Sequence, residues 1–268
     1  MIPTDTIDKL ADVFDSLGEF LPRLTEEQWK TPSQLPGWTV QDNLSHIVGT
    51  ERALYGLPET DHRASDLSHV KNPIGEMNEH HVDLRRHLSG AQVLAEFREI
   101  ARMRLEQLRS ADESYFATES MTPTGPGTVA DFLHIRVLDC WMHEQDMRRA
   151  VGMPGHLGGP AAEHTIDRLI RTIPIVVGKR AATPEGGSVV IDITGAVERH
   201  VVTTVRDGRA AIVDAPPAPP LATITMDSDA FLQLAGGRAT HTEVAEGWTI
   251  SGDVDLGTRV VASFNMMI

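Results

Sequence analysis

The hydrophobic pattern of this chain changes once, and this change constrains the fold more than any other feature. Up to about residue 152, apolar side chains recur at helical spacing in long stretches separated by links that contain Pro and Gly. From residue 186 onward, short β-rich runs dominate, and Asp207 with Gly208 provides a hairpin signal. We therefore predict an α+β chain with two domains.

The helical part is predicted to be an antiparallel four-helix bundle, because four main helices are joined by short or moderate links. We predict three segments: a bundle over 1–157, a connecting helix and linker over 158–183, and a small α+β domain over 184–268. The expected helices of the bundle cover about 5–24, 39–57, 77–109 with a break near 89–90, and 129–151. Residues 122–127 are expected to form a link, and a further helix is expected over about 161–178.

Composition excludes several classes of function. The chain has 268 residues with 41% hydrophobic content, which suffices for a normal core. Its net charge of -14 repels the phosphate backbone, so we expect no nucleic-acid partner. The single cysteine, Cys140, excludes an internal disulfide. We see no signal-peptide pattern and no membrane-length apolar run, so we predict a cytoplasmic monomer or small homo-oligomer without a membrane partner.

Three residues form a candidate metal-binding set. Asp139 and His143 are four residues apart in a stretch that is predicted to be helical, so their side chains share one face. His46 lies in a second apolar-periodic stretch, and packing of the two helices would bring two imidazoles and a carboxylate to one point. Three ligands with an open fourth position are typical of a catalytic zinc site, although nickel and iron also suit this set. The alternative is an ordinary hydrogen-bonded pair within the helix.

Neighbouring residues leave alternatives open. Asp146 can orient a ligating imidazole from a second shell, or it can form a surface ion pair with Arg148 or Arg149. Arg136 lies one turn before Asp139 and can hold that carboxylate, contact an anionic substrate or be solvated.

Other candidates have simpler interpretations. Glu79, His80 and His81 resemble a rival metal cluster, but adjacent helical residues point about 100° apart, which favours a polar helix face. Cys140 is expected to be a core residue. Arg238 follows two glycines and either reaches over a cleft or marks the end of a helix. The chain contains no P-loop, no dinucleotide-binding fingerprint and no GxSxG motif.

Two helical signatures resemble a known family. The segments Trp29–His46 and Arg136–Gly152 are similar to the signatures of the DinB-like, mycothiol-dependent maleylpyruvate isomerase family. Segments 227–238 and 250–257 resemble the sterol-carrier-protein-like domain that many members carry. The resemblance implies a DinB-like bundle followed by a sterol-carrier-like α+β domain.

The same resemblance implies a site and its cofactors. It implies a divalent metal, usually zinc, bound by His46, Asp139 and His143, with mycothiol as the thiol cosubstrate. It also implies an assisting arginine from the C-terminal domain, for which Arg238 is the candidate. We expect glutamate as the middle ligand in the isomerase itself; Asp139 is one methylene shorter, which implies a tighter or shifted pocket.

The leading hypothesis is a zinc enzyme that activates a low-molecular-weight thiol for isomerisation of, or S-transfer to, a small electrophilic substrate. Arg238 or Arg136 would bind a carboxylate or a developing enolate. The alternative is a non-catalytic, metal-containing protein that binds an apolar small ligand. A metal-dependent hydrolase would need a general base near the metal, and Glu51 or Glu144 would have to serve. This hypothesis ranks last, because Glu144 is expected to point elsewhere on its helix.

Overall fold

The computed structural model describes residues 1–58 and 60–266. The chain divides into two compact units, Met1–His156 and Leu157–Ile268. Helices build the first unit, and a sheet with helices builds the second, so the predicted α+β class is confirmed. The assignment of 158–183 as a connecting segment stays a prediction. Within the described residues, no helix combines the length and the apolar character that crossing a bilayer requires.

The helices have the following bounds: α1 Thr4–Phe20, α2 Glu26–Trp29, α3 Val40–Tyr55, α4 Pro73–Asp83, α5 Gly90–Ser110, α6 Glu113–Ala117, α7 Val129–Ala150, α8 Pro160–Ile170, α9 Ser228–Ala235 and α10 Val254–Ala262. The strands are β1 Glu119–Thr122, β2 Gly125–Thr128, β3 Ser188–Thr194, β4 Arg199–Arg206, β5 Arg209–Val213, β6 Ala222–Asp227 and β7 Trp248–Gly252.

Four long helices form the core of the first unit. Helix α3 packs against α5 and α7, and α1 packs against the same two helices. Their inward faces bury large apolar side chains, among them Leu10, Leu44, Phe97 and Trp141. Burial of such faces is what stabilises helices of this length in water. The predicted four-helix bundle is confirmed.

Neighbouring helices of the bundle do not all run in opposite directions. Gln41 near the start of α3 donates a hydrogen bond to the carbonyl of Leu88 just before α5, and Glu51 further along α3 pairs with Arg104 further along α5. These contacts show that α3 and α5 run parallel. The long connection between them, which contains α4, returns the chain to the end of the bundle where α3 begins. The bundle therefore departs from a purely antiparallel arrangement.

Local sequence signals set several element boundaries. Thr39 and Asp42 form a capping box at the start of α3. Asp207 and Gly208 join β4 to β5 with φ of 53° and 71°, the left-handed pair that a tight hairpin requires. Asp227 caps α9 by accepting a hydrogen bond from the backbone N–H of Asp229.

The second unit contains a five-stranded sheet in the order β5-β4-β3-β6-β7. Strands β3 and β6 are parallel, and the other neighbours are antiparallel. Helix α9 packs on β3 and β6, and α10 packs on β6 and β7.

Three elements differ from the sequence prediction. The expected link over 122–127 is part of a β1–β2 hairpin, whose Pro and Gly residues hide the strand signal. The expected helix over 161–178 ends at Ile170. Pro174 lacks the N–H that a continuing helix needs, and a π-type turn over Ile175–Arg180 follows it. Strand β7 was not predicted.

His156 is the last residue of the first unit, and it forms a contact whose strength depends on pH. Its Nδ1 lies 2.8 Å from Glu144 Oε2, and its Nε2 lies 3.0 Å from Asp12 Oδ2. Burial opposes protonation, but the two carboxylates outweigh it and raise the pKa of His156 above its usual value.

This contact predicts a stability change with pH. Because the folded-state pKa is raised, the stabilisation is fully present below about pH 6.5 and is lost as the pH rises through the folded-state pKa. His156→Asn should therefore reduce the free energy of unfolding by about 1–2 kcal/mol at pH 6 and by less at pH 8.5. Asparagine tolerates the φ of 55° at this position. Urea titrations of both proteins at the two pH values measure the difference, and an equal loss at both would contradict the assignment.

Candidate metal centre

The structure brings His46 of α3 together with Asp139 and His143 of α7. Asp139 Oδ2 lies 3.1 Å from His46 Nε2, and Asp139 Oδ1 lies 3.6 Å from His143 Nε2. One ligand atom from each residue can be chosen so that all lie within 4.8 Å of one another. Both histidines are buried, whereas the Asp139 side chain keeps 23% of its surface exposed. The cluster is therefore accessible at its carboxylate.

Helix direction explains how residues so distant in sequence meet. Asn43 contacts His143, and Glu51 contacts Arg136, so α3 and α7 run antiparallel. Each of the three candidate ligands lies on the face of its helix that packs against the other of these two helices.

Trp38 lies against both imidazoles. Its ring centroid is 5.4 Å from that of His46 and 5.8 Å from that of His143. The indole Nε1 donates a 2.8 Å hydrogen bond to Glu79, which is fully buried and 2.6 Å from Arg86. The anchored indole shields one side of the cluster from water.

The charges in the cluster suit a cation. Although burial opposes it, the positive charge of Arg136, with the contacts from the two histidines, holds the pKa of Asp139 well below its usual range. Burial lowers the pKa of His46, which keeps this imidazole neutral near pH 7. Burial also opposes protonation of His143, but Asp139 and Asp146 raise its pKa.

Asn43 fixes the orientation of His143. The Asn43 Oδ1 lies 2.8 Å from His143 Nδ1, while its Nδ2 donates to the Thr39 carbonyl at 2.8 Å and to Ser33 Oγ at 3.1 Å. These two hydrogen bonds from Nδ2 orient the amide so that its oxygen accepts from Nδ1–H, which leaves the Nε2 lone pair directed at the cluster. Sequence reasoning missed Asn43, although its position three residues before His46 places it on the same helical face.

These residues fit a divalent metal. Two imidazole nitrogens and a carboxylate oxygen are a donor set that zinc accepts, and the ligand groups must be deprotonated at their donor atoms. Asp139 is ionised, and the contact from Asn43 leaves His143 Nε2 free to bind. The buried His46 Nδ1 has no hydrogen-bond partner among the described residues. A hydrogen bond therefore holds the Nδ1 of His143, whereas the Nδ1 of His46 has no such partner among the described residues.

The structure places both partners that were considered for Asp146 near it. Its Oδ2 lies 3.5 Å from His143 Nδ1, and its Oδ1 lies 3.7 Å from Arg149 Nη1. The side chain is fully buried, and Asn43 is closer to the imidazole. A second-shell role for Asp146 stays a proposal, with Asn43 as the nearer partner.

Arg136 is buried and directed at protein groups. Its guanidinium donates to Glu51 at 2.7 Å, to Asp139 at 2.6 Å and to the sulfur of Cys140 at 3.1 Å. The interpretation of Arg136 as a solvated group is therefore wrong, since only 3% of the residue is exposed. The geometry favours holding Asp139 over contact with an anionic substrate.

The remaining candidates contact other groups. Arg238 follows α9 in the second unit, where its guanidinium donates to the carbonyl of Gly236 at 2.7 Å. Cys140 is a core residue as predicted, and burial raises the pKa of its thiol well above the usual value. Glu144, a candidate base for hydrolysis, is fully buried and paired with Arg148.

The rival cluster at 79–81 does not form a metal site. In the parts of the chain that the structure covers, the only His/Cys/Asp/Glu group with suitable ligand geometry is His46, Asp139 and His143. The interpretation of Glu79, His80 and His81 as a polar helix face is consistent with this result.

Sequence comparisons match this chain over about half of its length. Residues 10–148, about half of the chain, match the model of the mycothiol maleylpyruvate isomerase N-terminal domain. An uncharacterised protein found in two strains of Mycobacterium tuberculosis is 24% identical over 143 residues, which cover 52% of this chain and 53% of the relative. The match thus spans about half the length of these curated relatives.

Solved structures share the fold. The crystal structure of the mycothiol-dependent maleylpyruvate isomerase has a TM-score of 0.59 and 17% identity, covering 94% of each chain. A histidine-to-alanine mutant of that enzyme gives a TM-score of 0.61 with 16% identity and the same coverage. Sterol carrier protein 2 from Yarrowia lipolytica covers 38% of this chain at a TM-score of 0.27, which is too low to support an argument. The apolar-ligand alternative therefore stays a prediction.

Proposed function

The chain belongs to the mycothiol maleylpyruvate isomerase N-terminal domain family, and on that premise we propose that it is a metal-dependent enzyme that uses mycothiol to isomerise a small unsaturated acid. The observation that carries the proposal is the set of His46, Asp139 and His143, whose ligand atoms lie within 4.8 Å of one another. A bound zinc ion would stabilise the thiolate over the thiol and so lower the pKa of the cosubstrate.

The protein's own residues prepare this site. Arg136 holds one oxygen of Asp139, and Asn43 holds the imidazole of His143, so two of the three ligands are oriented before a metal binds. Trp38 excludes water from one side. We propose Arg238 as the group that binds the substrate carboxylate, because guanidinium groups pair with carboxylates in a planar, bidentate geometry.

The proposed reaction needs no redox partner. The thiolate sulfur adds to one carbon of the double bond, and the electron pair moves into the conjugated carbonyl as an enolate. Rotation about the resulting single bond and loss of the same sulfur restore the double bond in the other geometry. In an S-transferase the enolate carbon is instead protonated, and the adduct is the product. This second outcome uses the same residues and stays an alternative.

Purified protein loaded with zinc tests the proposal. We expect mycothiol-dependent isomerisation of maleylpyruvate, or conjugation within a panel of small electrophiles. Turnover should vanish without mycothiol. Equal turnover without any thiol would contradict the proposal, and so would inactivity of the folded, zinc-loaded protein across the whole panel.

Asn43 provides a sharper prediction. Asn43→Leu removes the acceptor for His143 Nδ1 at similar volume, and loss of such an outer partner typically weakens metal binding about 10–100-fold. Asn43→Asp keeps an acceptor oxygen but loses the two hydrogen bonds that Nδ2 donates, so it should bind metal more tightly than Asn43→Leu.

Zinc affinity measured by competition with a chelating indicator reports both effects. Asp146→Asn serves as the comparison, because Asp146 is the more distant neighbour of the same nitrogen. A larger loss of affinity in Asp146→Asn than in Asn43→Leu would reassign the positioning role to Asp146.

A further inference from the structure

A recess of about 370 Å³ opens on the first unit between α3, α5 and the segment that follows α4. It is lined by Arg52, Leu84, Arg85, His87, Leu88 and Glu96. None of these residues belongs to the candidate metal centre. The recess is therefore separate from that centre.

Arg85 forms a buried positive charge in this recess. Only 4% of the residue is exposed. Its Nε donates to Glu96 at 2.9 Å, and its Nη1 donates to the carbonyl of His81 at 2.8 Å. Burial lowers the pKa of Arg85, and the neighbouring charge of Arg52 lowers it further, whereas Glu96 raises it. The only carboxylate among the lining residues is thus already engaged by Arg85.

Arg52 adds a second positive charge to the recess. It is partly buried, and its guanidinium forms no hydrogen bond or ion pair with any residue of 1–58 or 60–266. The recess therefore contains two guanidinium groups and one carboxylate, which pairs with Arg85 alone, in a chain whose net charge is -14. Placing like charges in a partly desolvated recess costs free energy unless an anion neutralises them.

We propose that this recess binds a small oxyanion, a phosphate or carboxylate group, between Arg52 and Arg85. The planar guanidinium presents donors at a spacing that matches these groups. His87 lies at the exposed edge of the recess. The proposal is independent of the metal centre, because no residue is shared.

Isothermal titration calorimetry with inorganic phosphate and, separately, with succinate tests the proposal at low ionic strength. The titrations use His143→Ala, whose metal centre is disabled, so that binding to a metal does not contribute; chelator-treated wild type provides the same measurement if this variant folds poorly. We expect binding of one anion per chain. Binding of phosphate alone, of succinate alone or of both identifies the class of anion.

Arg52→Gln should weaken this binding about 10-fold or more, because it removes a charged donor. Arg102→Gln is the matched control, since Arg102 is exposed and paired with Glu106, and it should leave the affinity unchanged. The proposal is overturned if neither anion binds, or if Arg52→Gln binds as tightly as the parent.

Discussion

His143→Ala is expected to lose zinc binding by more than about 100-fold and to lose mycothiol-dependent turnover with it. Loss of a residue that only hydrogen-bonds a metal ligand already weakens metal binding by roughly 10–100-fold. Loss of a direct ligand should therefore weaken it further. Removal of a direct ligand leaves only His46 and Asp139 and opens a second site for water. Metal content after dialysis, measured by mass spectrometry, reports the loss directly.

His134→Ala is the matched control for this experiment. His134 lies on the same helix α7 and is outside the ligand set. The control should retain near-stoichiometric zinc and full turnover. Retention of zinc by a folded His143→Ala protein would show that the three residues form a polar contact and not a metal site.

Glu51→Gln is expected to destabilise the first unit by about 3–5 kcal/mol. The carboxylate of Glu51 is fully buried and accepts from Arg136 at 2.7 Å and from Arg104 at 3.2 Å. Both arginines are 3% exposed, so the substitution leaves buried positive charge without its partner. Arg136 still pairs with Asp139 in this variant. Most of the loss in the free energy of unfolding therefore comes from Arg104, which loses its carboxylate partner.

Urea unfolding measures this loss against Glu106→Gln. Glu106 also pairs with an arginine, Arg102, but both side chains are more than half exposed. Screening by water limits such a pair to about 0–1 kcal/mol. Similar losses for the two variants would contradict the buried role that we assign to Glu51.

These contacts also show which features a single sequence can predict. The capping box of Thr39 and Asp42 and the turn at Asp207 and Gly208 are local, because the residues involved are near neighbours in sequence. Local chemistry was enough to place α3 and the β4–β5 hairpin. The spacing of Asp139 and His143 likewise follows from helical periodicity alone.

Other features depend on which helices face each other. The contact of His46 with Asp139 spans 93 residues, and it requires the antiparallel packing of α3 and α7 that spacing cannot provide. The roles of Asn43 and Glu51 were not predicted for the same reason, because a buried polar residue is understood only through its partner on another helix. The parallel run of α3 and α5 depends on the long connection through α4, whose path the hydrophobic pattern does not specify.

The shorter ligand at Asp139 remains compatible with the proposed site. Its carboxylate lies within 3.1 Å of His46 Nε2 and within 3.6 Å of His143 Nε2, so one oxygen faces each imidazole. Arg136 donates a hydrogen bond to the same carboxylate, and its positive charge keeps the carboxylate ionised. The acidic ligand is therefore held in place by contacts of this chain.

The central claim is that this centre holds a divalent metal on which a thiol is activated, and cobalt-substituted protein tests it most directly. Titration with mycothiol should produce a thiolate-to-cobalt charge-transfer absorption in the wild type, and Asp139→Ala should show none. The absence of this absorption in folded, cobalt-loaded wild type, with mycothiol at saturating concentration, would contradict the account.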